Sequence, residues 1–405
     1  MVQRIRYIIF LKDVFLLSVT CFGGPQAHIA HFHKILVKRR NFISEPELNE
    51  LNALCQVVPG PTSTQTLSAI GYKLGGANLA YLTLLIWLLP SVAIMTLAGI
   101  LMNSFEAKNM SLAFTRFIQP MAVGLVAHAA WSISVKTVTT RRALSLMIFA
   151  AVATYLIKSP IVFPVVLLIA GLITALNYKA HPREEKKRFE ISWSNFLLWG
   201  GVLIFAALLG WVTKGIPELT LPIRLFENFY RNGSLIFGGG QVLTPMLYTE
   251  FVQYAPKQYL TAEEFLSGYA FVQGLPGPVF SFSAYIGALS MREYGVFGEV
   301  MGAIMSAAGI FLPGTFLIFF MIRIWESLKK FRPIRASLEG INAANAGLVA
   351  AAAVVLFQPL VAGQTIQVVL INASFALGAF ALTAFTRIPS WLIVLLGLIC
   401  GFIPL

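Results

Sequence analysis

Residues 56–65 read QVVPGPTSTQ, and residues 272–282 read VQGLPGPVFSF. Each Pro-Gly-Pro lies in a long apolar stretch, where a single proline already removes a backbone donor and interrupts a helix. Outward from these two points the chain matches itself. FGGPQ at 22–26 answers FGGGQ at 237–241, and IG at 70–71 answers IG at 286–287. LLPS at 88–91 answers FLPG at 311–314, and GLVA recurs at 124–127 and 347–350. Gln56 and Gln273 each precede the first motif proline by three residues, and Glu47 and Glu264 by twelve. The order never changes, which marks a duplicated unit. The halves are 1–176 and 217–405, joined by 177–216, a polar basic segment followed by one further apolar run at 196–213.

The composition says where such a chain resides. Of 405 residues, 57% are hydrophobic and only 12% charged, about half the charged share of a soluble domain. Apolar runs recur at 79–102, 113–135, 143–157, 160–176, 196–213, 297–322, 337–357, 365–384 and 389–404, mostly of membrane-spanning length. The expected class is an all-α polytopic protein in the lipid bilayer of the cytoplasmic membrane, with no cleaved targeting segment. The net charge of +13 is explained by basic cytoplasmic loops, so nucleic acid is not an expected partner. Cys21, Cys55 and Cys400 are scattered and form neither a disulfide framework nor a metal-ligand pattern.

Loop charges give the two halves opposite orientations. Loop 34–40 carries Lys34, Lys38, Arg39 and Arg40, while its counterpart 248–261 carries one Lys and one Glu. Loop 136–142 is basic and 358–364 is uncharged; 103–116 is nearly neutral and 323–335 carries five basic residues. The positive-inside rule then predicts an inverted-topology repeat, with the N-terminus cytoplasmic and the C-terminus extracytoplasmic. Keeping those loops on their sides requires 8–33 and 47–75 to enter and return, turning at FGGP and at Pro-Gly-Pro, in arms of roughly 12 residues. Each half becomes two re-entrant or broken hairpins plus four spans: six apolar segments, one connecting segment, and six more.

Irregular backbone at membrane depth is tolerated where it lines a protein-enclosed or watery cavity. A broken helix also presents free N–H groups at the start of its second arm, and these favour an anion. The candidate binding residues are Gly23, Gly24, Gln26 and His28 at the first break; Gln56, Gly60, Thr62, Ser63 and Thr64 at the second; Gly238, Gly239, Gly240 and Gln241 at the third; and Gln273, Gly277 and Ser281 at the fourth. The hydroxyl-rich first Pro-Gly-Pro is the stronger candidate of the two. A pair of proline kinks serving packing alone is the competing reading. Glu47, Glu264 and Asp13 are proton-coupling candidates. Ser44-x-x-Glu47 and Thr261-x-x-Glu264 also read as capping boxes, and Asp13 follows Lys12, an adjacent partner. His28, His31 and His33 lack a companion Cys or carboxylate, so no metal is expected, and no cofactor is implied.

These motifs carry a resemblance. FGG followed by P or G, S/T-x-x-E, Q-x-x-PGP and I-G fall in the same order in both halves, with a basic stretch after FGGPQAHIAHFHK in the first, and the chain resembles the chromate transporter family in its long, two-domain form. Asn41-Phe42 is a departure where members often carry tryptophan. The resemblance implies export of chromate, with sulfate as an analogue, conferring resistance; proton antiport is commonly proposed for the family. It places Gly23, Gly24, Pro25, His28, Gln56, Pro59, Gly60, Pro61, Gly238, Gly239, Gly240, Gln273, Pro276, Gly277 and Pro278 at motif positions. A homodimer fits this class, and a transporter or channel for another anion is the alternative.

Overall fold

The helices stop at FGGP and at both Pro-Gly-Pro motifs, whereas Pro90 and Pro313 lie inside helices. The computed structural model describes residues 2–108, 113–176, 193–237, 240, 242–328 and 331–402. Helix α1 (Val2–Thr20) ends before Phe22, and α2 (Gly24–Phe32) begins on an N-cap Gly23 at φ +93° with Pro25 in its first turn. Pro is suited there, because the first turn has no intrahelical acceptor for an N–H. A π-helical turn, His33–Arg39, extends α2. The chain then turns at Asn41, whose φ of +50° lies in the left-handed region that Asn tolerates. Asn at this departure from the family pattern therefore has a local reason.

Helix α3 (Glu45–Val57) opens with the expected capping box: Ser44 Oγ accepts from Glu47 N, and Glu47 Oε2 accepts from Ser44 N. It stops at Val58, and α4 (Thr62–Ala107) resumes after Pro61, broken once at Gly75–Gly76. The chain continues through α5 (Ile118–Thr137), α6 (Arg141–Leu156), α7 (Val162–Ala175), α8 (Ser194–Val212) and α9 (Pro217–Leu235). Then come α10 (Leu243–Tyr248), α11 (Ala262–Gln273), α12 (Phe282–Ser290), α13 (Gly295–Leu328), α14 (Arg332–Phe357), α15 (Ile366–Phe385) and α16 (Ser390–Gly401). Helix α11 repeats the capping box, with Thr261 and Glu264. Among the described residues, six helices are long and apolar enough to cross a membrane.

Two details differ from the sequence expectation. Helix α1 has 19 residues rather than roughly 12, because Arg4 and Arg6 continue the helix instead of ending it. The runs at 160–176 and 389–404 yield helices of only 14 and 12 residues. At 1.5 Å per residue these fall short of the roughly 30 Å hydrocarbon core. Segment 177–192, the expected basic linker, lies outside the described residues.

The chain forms two compact units: residues 1–104, 190–240 and 275–324, and residues 105–189, 241–274 and 325–405. Each unit draws on both halves of the sequence. In the second, α14 packs on α5, α6 and α7. Gly340 and Gly347 permit this, since a Cβ there would collide with the carbonyl oxygens of Ala170 and Met147. In the first, α8 packs on α9, joined by Trp199 Nε1 donating to Ser234 Oγ (2.9 Å) and Tyr230 OH donating to the Trp199 carbonyl (2.9 Å). The opposite side of α8 leaves Leu197, Ile204, Phe205 and Leu208 exposed, an apolar stripe suited to lipid. The protein is a multi-pass membrane protein.

A candidate anion site built from four helix breaks

A small cavity inside the first unit is lined by Pro25, His28, Pro61, Thr62, Ser63, Gly240, Pro278, Val279 and Phe280. Every one of the four breaks contributes. Pro25 and His28 belong to the first turns of α2, and Thr62 and Ser63 start α4. Gly240 ends the glycine turn of the second half, and Pro278 to Phe280 lead into α12. The opening N–H groups of α2 and α4 have no acceptor within their own helices, so the cavity is bordered by donors and by the positive ends of helix dipoles.

Two reciprocal hydrogen bonds hold the breaks together. Gly60 N donates to the Ile236 carbonyl (2.7 Å), and Gly277 N donates to the Cys21 carbonyl (2.9 Å). Ile236 directly precedes FGGG and Cys21 directly precedes FGGP. Thus each Pro-Gly-Pro is tied to the glycine turn of the other half. The neighbours exchange in the same way. A Cβ on Gly60 would lie 3.3 Å from Gly314 Cα, in FLPG, and a Cβ on Gly277 would lie 3.1 Å from Ser91 Cβ, in LLPS. Both glycines have positive φ, +124° and +94°, which other residues avoid.

The two sides of the cavity differ in chemistry. On the first-half side, His28, Ser63 and Thr64 are 1%, 3% and 2% exposed. His28 Nδ1 lies 3.0 Å from Ser63 Oγ, and Trp87 Nε1 donates to Thr64 Oγ1 (3.1 Å). The Trp87 ring meets the His28 ring edge-on, centroids 5.3 Å apart. Gln65 Nε2 donates to both the Pro59 carbonyl (2.7 Å) and the Gly314 carbonyl (3.2 Å). On the other side stand Pro278, Val279 and Phe280, and the Ser281 hydroxyl is turned back onto the Pro278 carbonyl (2.8 Å).

The candidate residues distribute unevenly. His28, Thr62, Ser63 and Gly240 line the cavity, while Gly60 and Gly277 lie buried in the strained turns beside it. Gly23 and Gly24 shape the start of α2, at φ +93° and +78°. Gln26 and Gln56 are exposed and do not line it. Thr64 serves Trp87, and Gln273 belongs to the second unit, where it bonds Tyr269. Gly238, Gly239 and Gln241 lie outside the described residues. Sequence reasoning misses Gln65 and Trp87. Gln65 closes the quoted motif, but nothing in an uninterrupted apolar span distinguishes Trp87.

The three coupling candidates all have local partners. Glu47 caps α3 and accepts from Lys73 Nζ (2.5 Å); the lysine, helped by the Ser44 donors, holds its carboxyl down to about 2. Glu264 is buried at the start of α11 and caps Thr261. Asp13 pairs not with Lys12 but with Arg40, whose Nε and Nη2 donate to it at 2.8 and 3.2 Å. His33 meets Glu45 at 3.2 Å, and no group of three metal-ligating side chains occurs among the described residues.

Comparison with known proteins agrees with the motif reading. A family model described as "Chromate transporter" matches residues 8–175 and again 223–402. A probable chromate transport protein of Synechococcus elongatus is 28% identical over 399 residues, covering 97% of this chain and 93% of its own length. An uncharacterized transporter of Methanocaldococcus jannaschii is 25% identical over 405 residues, covering 98% and 94%. The chromate transport protein of Pseudomonas aeruginosa is 25% identical over 344 residues, covering 84% and 79%. No solved structure matches the chain significantly.

Proposed function

The chain belongs to the chromate transporter family, and we propose that it is a secondary transporter exporting a tetrahedral dianion, chromate first and sulfate as its analogue, through the cavity at the four helix breaks. The observation that carries this reading is the composition of that cavity. Helix starts, a buried imidazole and two hydroxyl residues converge there, and no carboxylate lines it among the described residues. Such a lining favours anions. The reciprocal Gly60–Ile236 and Gly277–Cys21 bonds support two halves related by an in-plane pseudo-two-fold axis, with each Pro-Gly-Pro at the tip of a re-entrant hairpin. Alternating access then exchanges the conformations of the two halves around one shared site.

Energetics favour export without a compulsory proton. A dianion leaving an inside-negative cell gains about 4.6 kcal/mol per 100 mV for its two charges. The resulting phenotype is chromate resistance.

The deciding experiment uses everted membrane vesicles containing the transporter and labelled chromate outside, with an imposed potential and with or without a pH gradient. Potential-driven accumulation, competed by sulfate, is the expected result. Absence of accumulation above control vesicles refutes the substrate. Sulfate uptake without chromate uptake reassigns the protein to another oxyanion.

A further inference from the structure

The hydrogen-bonded pair His28–Ser63 exists in only one half of the protein. Position for position, the second half replaces His28 by Leu243 and Ser63 by Phe280, so the polar wall has no counterpart. The imidazole is buried and clamped, with Ser63 Oγ at Nδ1 and Trp87 across the ring. Its other nitrogen, Nε2, is buried and makes no geometric hydrogen bond among the described residues.

A neutral imidazole carries one proton, and the bond made by one nitrogen decides which nitrogen holds it. A hydroxyl can donate to Nδ1 or accept from it. If Nδ1 held the proton, Nε2 would present a bare lone pair to the oxyanion beside two anion-favouring helix starts. Two acceptors would face each other at a site built of donors. If Ser63 donates to Nδ1, Nε2 carries N–H and adds a donor to the cavity, in keeping with the helix starts around it.

We infer that Ser63 is a positioning residue: it donates to His28 Nδ1, fixes the Nε2–H tautomer, and so turns His28 into a hydrogen-bond donor to the transported oxyanion. This rests on the anion reading of the cavity. Ser63 contributes through the histidine, and Trp87 contributes by holding the ring plane.

Side-chain geometry supplies the test. Gln places its amide nitrogen near the position of His Nε2, whereas Asn mimics Nδ1. Oxyanion KM is measured in proteoliposomes with sodium chromate and, separately, sodium sulfate, for wild type, His28→Gln, His28→Asn, Ser63→Ala, and His28→Gln combined with Ser63→Ala. Ser63→Ala is expected to raise KM about fivefold in the wild-type background, the worth of one oriented hydrogen bond, and to have no further effect once residue 28 is Gln. His28→Asn is expected to raise KM at least about tenfold more than His28→Gln, the loss of a donor at the Nε2 position. Ser63→Cys, nearly isosteric but a poorer donor, takes the place of any Ser63→Ala protein that melts early. An equal effect of Ser63→Ala in both backgrounds, or equal KM for Gln and Asn at position 28, overturns the inference while leaving the transporter reading intact. Absence of saturable flux of either anion in wild type overturns the transporter reading itself.

Discussion

Gly60 donates its amide to the carbonyl of Ile236 at 2.7 Å, joining the first Pro-Gly-Pro to the residue before the second glycine turn. The bond requires a φ of +124°, and the missing side chain leaves room for Gln65 and Gly314. Gly60→Ala therefore combines a left-handed strain of about 1–2 kcal/mol with a clash against the Gln65 amide nitrogen at 2.7 Å and a tight approach to Gly314 Cα at 3.3 Å. It is expected to abolish transport and lower the melting temperature. Gly277→Ala carries the same strain but meets nothing under 3.0 Å, its tightest neighbours being Ser91 Cβ at 3.1 Å and Oγ at 3.3 Å. Its loss of flux should be partial, and adding Ser91→Gly should restore some of it. Flux and thermal melts of the three variants check this ordering.

The Asp13 carboxylate is nearly buried on α1 and receives two bonds from Arg40. Arg40→Gln leaves that carboxylate short of donors, which costs about 1–3 kcal/mol. Pairing it with Asp13→Asn should return most of the stability, measured by thermal melting in detergent. If the single and double variants melt alike, the pair has no structural weight.

Glu47 has a folded-state carboxyl near 2 against an ordinary value of 4.5, mainly because Lys73 bonds it. A depressed carboxylate contributes stability that is complete above its unfolded value and is lost as pH falls through the folded one. The loss should therefore appear between about pH 4.5 and 2. The side chain is 37% exposed, so solvent screening keeps the effect small. Glu47→Gln should flatten the acid limb of a stability–pH curve and leave the slope above about pH 5 unchanged.

Glu299, 1% exposed on α13, accepts from Asn103 Nδ2 at 2.7 Å. Asn103→Leu removes that donor from a buried carboxylate. A loss of about 1–3 kcal/mol, and compensation by Glu299→Gln, are expected in thermal melts. A stable Asn103→Leu single variant would show that the carboxylate finds another donor.

Much of the design is legible in the residues themselves. Each break is at a place where the backbone has no choice: proline lacks the donor, and glycine alone accepts positive φ without strain. The capping boxes at Ser44 and Thr261 are readable for a similar reason, since their bonds span three residues. Less is legible about lengths. The run at 389–404 is apolar enough to suggest a span, but its helix is 12 residues long, because composition reports hydrophobicity and not where a helix begins.

The site is legible by motif and not by side chain. Gln26 and Gln56 sit in the right motifs yet are exposed away from the cavity, because adjacent positions on a helix point to different sides. Gln65 and Trp87, one at a motif edge and one inside a featureless span, hold the wall in place.

The duplication, the four helix breaks and the membrane setting follow from the chain alone, as consequences of local backbone chemistry and of hydropathy summed along it. Packing was needed to establish that each Pro-Gly-Pro bonds the other half's glycine turn, that Asp13 answers Arg40 rather than its neighbour Lys12, and that His28 stands against Ser63. Those pairings join residues 27 to 256 positions apart. They depend on which surfaces meet when helices pack, and no local preference encodes that.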